Sequence, residues 1–113
     1  MTHRAALLAI ALTFSLSAGA ADVGDIEAGK AKSVVCQACH GADGNGIGDP
    51  QYPLLAGQYA DYLAKALHDY KSGARDNAIM KGFASTLSDQ DMLDLAAFFS
   101  GQTTKLRDLQ GIH

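Results

Sequence analysis

The sequence predicts an all-α fold, and three observations carry that expectation. Apolar residues recur at helical spacing in three separate stretches. No stretch shows the sustained apolar–polar alternation of a half-buried strand. The segment between the first two stretches holds Gly41, Gly44, Gly46 and Gly48, then Pro50 and Pro53, a composition that suits neither a helix nor a central strand. The expected architecture is therefore three main helices joined by glycine-rich loops.

The first helix is expected from roughly Asp25 to Cys36. Asp25 can cap its start, and Ile26, Gly29, Ser33 and Val34 are spaced for one face. Gly29 is a poor helix former, so it marks a close approach by another element. The second helix is expected from roughly Gln58 to Lys71, with Tyr59, Tyr62, Leu63, Ala66, Leu67 and Tyr70 at helical spacing and Gly73 placed to end it. The third has the clearest signals. Ser88 and Asp91 form the acidic variant of a capping box, Met92, Leu93, Leu95, Ala96, Phe98 and Phe99 follow, and Gly101 stops the helix.

Residues 1–20 read as a secretory signal peptide. His3 and Arg4 give a short basic start, Ala5 to Leu16 is an almost wholly apolar run, and Ala18-Gly19-Ala20 is a small-residue cleavage site. The run is too short to cross a bilayer comfortably, and no other stretch is apolar enough to span one. Cleavage leaves residues 21–113 as one domain, destined for the periplasm, and removes Arg4, so the formal charge of −3 becomes one unit more negative. Such a balance gives no support to nucleic-acid binding, which favours a basic surface. A chain this short buries only a modest core.

Cys36 and Cys39 are the only cysteines, and with His40 they form a C-x-x-C-H motif. This is the attachment signal for c-type haem. Each thiol can form a thioether to a porphyrin vinyl group, and the histidine can stand beneath the iron as proximal ligand. Three other chemistries use parts of the motif. A zinc site would have to ligate through the adjacent residues 39 and 40, with no second C-x-x-C or H-x-x-x-H to complete it. A dithiol oxidoreductase normally sets its C-x-x-C between a strand and a helix, and no strand is expected before Cys36. A plain disulfide, the ordinary expectation for two cysteines in an exported chain, leaves His40 without a purpose. Haem attachment accounts for all three residues, with one haem and one iron. A covalently held haem also gives a small core a large apolar body to pack around.

The segment Cys36-Gln37-Ala38-Cys39-His40-Gly41-Ala42-Asp43-Gly44-Asn45-Gly46 resembles the haem-binding segment of small bacterial monohaem class I cytochromes c. The resemblance continues through Pro53-Leu54-Leu55-Ala56-Gly57-Gln58, Tyr62-Leu63 and Tyr70-Lys71-Ser72-Gly73-Ala74-Arg75, and closes with Met80 ahead of Leu87-Ser88-Asp89 and the last helix. It spans nearly all of residues 25–101. The resemblance implies a class I cytochrome c fold wrapped around one covalent haem. Cys36 and Cys39 then hold the porphyrin, His40 is the proximal ligand, and the Pro53 carbonyl accepts a hydrogen bond from its imidazole. Leu55 packs on the haem, Met80 is the distal ligand, and Gly29 meets the Phe98/Phe99 pair where the first and last helices cross. Arg75 stands at a position the family often fills with arginine, and a guanidinium suits a haem propionate. A solvated loop charge is the competing reading of that residue.

Met80 has one rival of its own kind. Met92 falls within the buried face of the third helix, where methionine serves as core filling. Met80 lies in a looser segment between helices, 40 residues after His40, where a loop can wrap to the opposite haem face. His68, between Leu67 and Asp69 on the second helix, reads as a surface or rim histidine, and His113 ends the chain. Lys65, Lys71 and Lys81 are candidates for a positive patch that would steer partner encounter. Tyr52, Tyr59, Tyr62 and Tyr70 read as core or haem-rim packing.

With both axial positions filled, the expected function is electron transfer and not catalysis. The leading reading is a soluble periplasmic respiratory-chain carrier, probing donor and acceptor proteins through transient contacts and working as a monomer. The alternatives are a cytochrome subunit of a larger periplasmic dehydrogenase complex, and a haem enzyme or gas sensor whose distal ligand detaches.

Overall fold

The two ends of the folded region meet where the chain has almost no side chain. In the computed structural model, which describes residues 23–105, a Cβ on Gly24 would lie inside the Leu93 carbonyl and against the Ala97 side chain. A Cβ on Gly29 would lie inside the Asp94 carbonyl and against the Phe98 Cβ. These two positions let the first helix, α1 (Ile26–Lys32), pack backbone to backbone against the last, α5 (Asp89–Ser100). Gly29 thus admits the Asp94 backbone more closely than it admits an aromatic ring, and Gly24 carries no helical signal that marks it in the sequence.

The order is α1, α2 (Val34–His40), α3 (Ala60–Ser72), α4 (Ala78–Ala84) and α5, with no strand among the described residues. The all-α class is as expected, but the helices among the described residues number five. The expected first helix is two. Ser33, fully buried, donates its Oγ to the Lys30 carbonyl at 2.7 Å and accepts from Gln37 Nε2 at 3.1 Å. A serine bonding back along its own helix competes with the backbone ladder and bends it, so the axis breaks there and α2 starts afresh. Of the four residues assigned to one face of this stretch, Gly29 and Ser33 are buried, whereas Ile26 and Val34 are exposed.

α3 begins two residues later than expected and ends at Gly73, which takes the left-handed conformation (φ 86°) that a C-terminal glycine allows. It buries Leu63, Ala64 and Tyr70, while Tyr59 and Tyr62 stand out in solvent. α5 has the reciprocal capping box read from Ser88 and Asp91 and buries Met92, Leu95, Ala96, Phe98 and Phe99. Met92 is fully enclosed, a core methionine. α5 packs on α1 and on α3, and α4 packs only on α3.

Asp94 is the one charged side chain in this core, 2 % exposed. It accepts from the Asp25 backbone N–H (2.8 Å), from Lys32 Nζ (2.6 Å) and from Gln90 Nε2 (2.8 Å). Lys32 also reaches Asp91 at 2.8 Å. The Asp25 amide foremost, then Lys32 and Gln90, hold the Asp94 carboxyl down at about 2. A buried charge costs heavily unless it is paired and hydrogen-bonded; here every partner comes from α1, its cap or α5 itself.

No helix among the described residues is long and apolar enough to cross a membrane. The signal segment 1–20 and His113 lie outside the described residues.

Candidate functional site

The break at Ser33 turns α2 so that Val35, Cys36, Cys39 and His40 face one cavity of about 290 Å³. Gly41 ends α2 directly after the histidine with φ 85°, and a Cβ there would also strike the Gly46 carbonyl. That turn starts a loop which folds back on the helix. Gly46 N–H donates to the His40 carbonyl (2.7 Å), and Leu55 N–H donates to the Gly44 carbonyl (2.7 Å). Asn45 fastens the loop to the end of the described chain, donating to the Thr103 carbonyl (2.7 Å) and accepting from Lys105 N–H (2.9 Å).

The returning loop carries Pro53, whose carbonyl lies 2.9 Å from His40 Nδ1. A carbonyl only accepts, so Nδ1 holds the proton and Nε2 keeps a free lone pair. This is the tautomer a metal-bound imidazole needs, with its other nitrogen anchored to backbone. The ring is 6 % exposed, and Tyr52 meets it edge-on at 6.4 Å.

More of the lining comes from α3 and α4: Leu63, Leu67 and Tyr70 of the first and Ile79, Met80 and Phe83 of the second, together with Leu55 and Phe99. All seven residues marked in the sequence, Cys36, Cys39, His40, Pro53, Leu55, Arg75 and Met80, therefore border one space. Met80 stands on a short helix and not in a loose segment as expected, because Asn77 caps α4 and accepts from the Met80 N–H at 3.0 Å.

Arg75 is the cation at the rim. Its guanidinium sits 4.8 Å from the Tyr70 ring centroid, and Nη1 is 3.5 Å from the Tyr62 hydroxyl. His68 does not border the cavity; its Nδ1 lies 3.8 Å from an Asp89 carboxylate oxygen on the outside of α3. Of the three candidate patch lysines, Lys65 is ion-paired with Asp69, whereas Lys71 donates to the neutral Leu87 carbonyl at 2.6 Å and keeps its charge.

The donor set decides among the chemistries the motif allows. Cys36 and Cys39 are not joined to each other, and burial pushes the Cys36 thiol up. Among the described residues no three His, Cys, Asp or Glu side chains cluster to hold a metal ion. The cavity is mainly hydrocarbon, lined also by two thiols, an imidazole, a thioether and a guanidinium. A flat apolar macrocycle with an axial metal and acidic edges fits that distribution.

The comparison with known proteins agrees. The family described as Cytochrome c matches residues 26–102.

The chain belongs to the cytochrome c family.

With membership come haem c and iron, held covalently at Cys36 and Cys39, and a place among electron-transport proteins. The chain is 49 % identical over 96 residues to cytochrome c4 of Pseudomonas aeruginosa, a match that covers 85 % of this chain and 47 % of that one. It is 45 % identical over 82 residues to cytochrome c-554(548) of Halomonas halodenitrificans, covering 70 % of this chain and 98 % of that protein. The crystal structure of reduced recombinant cytochrome c4 from Pseudomonas stutzeri superposes with a TM-score of 0.69 at 45 % identity, over 74 % of this chain and 48 % of that one. The chain thus spans about half the length of the cytochromes c4 it matches.

Proposed function

We propose that the protein is a soluble periplasmic carrier of single electrons, with one haem c whose iron is ligated by His40 and Met80. The observation that carries this reading is one cavity lined by both an imidazole whose Nδ1 is bonded to a backbone carbonyl and a thioether. When bound, the haem supplies a ferric/ferrous couple, and a thioether ligand favours the reduced state relative to a second histidine.

The chain's own residues do the remainder. Pro53 holds the His40 ring and raises its basicity through the Nδ1 hydrogen bond. Leu55 and the apolar residues of α3 exclude water, which keeps the charge change in a medium of low dielectric. Arg75 offers its guanidinium to a propionate, held in place by Tyr70 and Tyr62. With His40 and Met80 both holding the iron, no position would be left for a substrate, which favours transfer over catalysis. Electron donor and acceptor are proteins met through small transient interfaces, and the protein acts as a monomer. Residues 1–20 direct export and are removed, leaving the domain 21–113. That such a domain stands alone is supported by the one-domain length of the Halomonas relative.

The test is the optical spectrum of the purified reduced holoprotein with and without carbon monoxide. Unchanged, sharp c-type bands are expected of a closed six-coordinate iron. A shifted spectrum would show an open distal side and turn the reading towards gas sensing or catalysis. Intact mass checks the leader: the mature chain is expected to begin at Ala21 and to carry one haem.

A further inference from the structure

The reading above makes Met80 a ligand, but nothing in it says what holds Met80 over the cavity. α4 is seven residues long, has Gly82 inside it, and buries only Ala84. Among the helices it touches α3 alone. A helix this short does not sustain itself in water, and glycine in its middle weakens it further. Among the helices only α3 supports it, and Ile79, Met80 and Phe83 are given over to lining the cavity.

Asn77 compensates. It sits just ahead of the helix in an extended conformation (φ −162°, ψ 111°), where a capping residue belongs, and its Oδ1 accepts the Met80 N–H at 3.0 Å. It also borders the same cavity as Met80 and His40. Of the amide groups left unpaired at the start of α4, the one it secures is that of the ligand residue itself. We infer that Asn77 is a positioning residue for the distal ligand: its side chain fixes the backbone from which the Met80 thioether extends, and so sets how often the iron is left open. This inference rests on Met80 being the ligand.

Loss of a capping bond raises the uncapped population roughly five-fold. Segments with few buried contacts open locally, without global unfolding, so the effect belongs to residues 77–84 and not to the whole fold. In the reduced holoprotein, the rate of carbon monoxide binding reports that opening, since the gas needs a vacant position. Hydrogen exchange at the Lys81 amide, whose 2.9 Å bond to the Asn77 backbone carbonyl survives substitution of the side chain, reports it independently of the iron.

The experiment compares wild type, Asn77→Ala, Asn77→Asp and Met80→Ala as reduced holoproteins. Asn77→Ala is expected to bind carbon monoxide roughly five-fold faster and to lose Lys81 amide protection by a similar factor. Asn77→Asp, an equally good cap, is expected to restore both. A merely structural role would lower the melting temperature in Asn77→Ala without moving either rate. Unchanged rates in Asn77→Ala, or failure of Asn77→Asp to restore them, would overturn the inference. Failure of the underlying reading looks different: wild type and Met80→Ala would bind the gas equally fast, and Met80 would not be the ligand at all.

Discussion

The two walls of the cavity are built on opposite plans. The proximal wall is over-determined: α1 and α5 touch through glycines, Asp94 is saturated with partners, and the loop of residues 41–57 is bonded at several points to α2 and the C-terminal segment. The wall that carries Met80 hangs on α4, a short helix held by its Asn77 cap and by bonds near its other end, such as Ser85 Oγ to the Lys81 carbonyl. Rigidity is thus concentrated around Cys36, Cys39 and His40. The Met80 thioether, proposed above as the distal ligand, is left to a local hydrogen bond. The contrast teaches that one small domain can fix a cofactor firmly on one face while keeping the other face adjustable.

The contrast is easiest to break at the α1/α5 crossing. Gly29→Val puts branched carbon where the Asp94 carbonyl lies and is expected to cost at least about 3 kcal/mol, read as loss of the holoprotein or a steep fall in Tm. A near-normal Tm would mean that the crossing is soft and the proximal wall no firmer than the distal.

Acid should act next, and on the same wall. Asp94 is held at about 2, against 3.8 for an ordinary aspartate. A depressed carboxylate stabilises the fold fully above its unfolded value and loses that contribution as pH falls through its folded one. Tm is therefore expected to drop between about pH 4 and pH 2, and Asp94→Asn should start lower and slope less. Equal slopes in the two proteins would move the acid sensitivity to other carboxylates.

Smaller effects sharpen the comparison. Ser88→Ala removes the capping box of α5 and is expected to cost about 1 kcal/mol in chemical denaturation. Lys71→Ala removes the bond from α3 to the Leu87 carbonyl after α4. It is expected to cost about 0.5 kcal/mol, because that lysine is exposed and water replaces it. The reverse order would place the global stability in the distal strap. Arg75→Gln should leave Tm almost unchanged and lower the reduction potential by less than about 60 mV, tenfold in a one-electron equilibrium. A potential that does not move would return Arg75 to the solvated surface.

How much of this was legible in the sequence follows the same division. The α3 and α5 signals are local, so periodicity, the Ser88/Asp91 pair and Gly73 gave both helices nearly to the residue. The cavity set was legible because a covalent motif anchors it and family resemblance orders the remainder. Ser33 was not, since a serine in a helical pattern looks ordinary until its hydroxyl is seen bonding to Lys30. Asp94 resembles any polar residue on a helix, and its partners Asp25 and Lys32 lie 69 and 62 residues away. α4 was passed over because Gly82 and its lack of a long apolar face hide it. Asn77, three residues before Met80, was the available signal.

The bonds that finish the proximal wall also impose a chronology. Asp25 to Asp94 and Asn45 to Thr103 and Lys105 join positions 69, 58 and 60 residues apart. A chain emerging from its N-terminus therefore presents the thiols of Cys36 and Cys39 long before α5 exists to close over them. Contacts of such long range form late, so the attachment segment spends its early life as an open peptide. Completion of the last helix is what seals it.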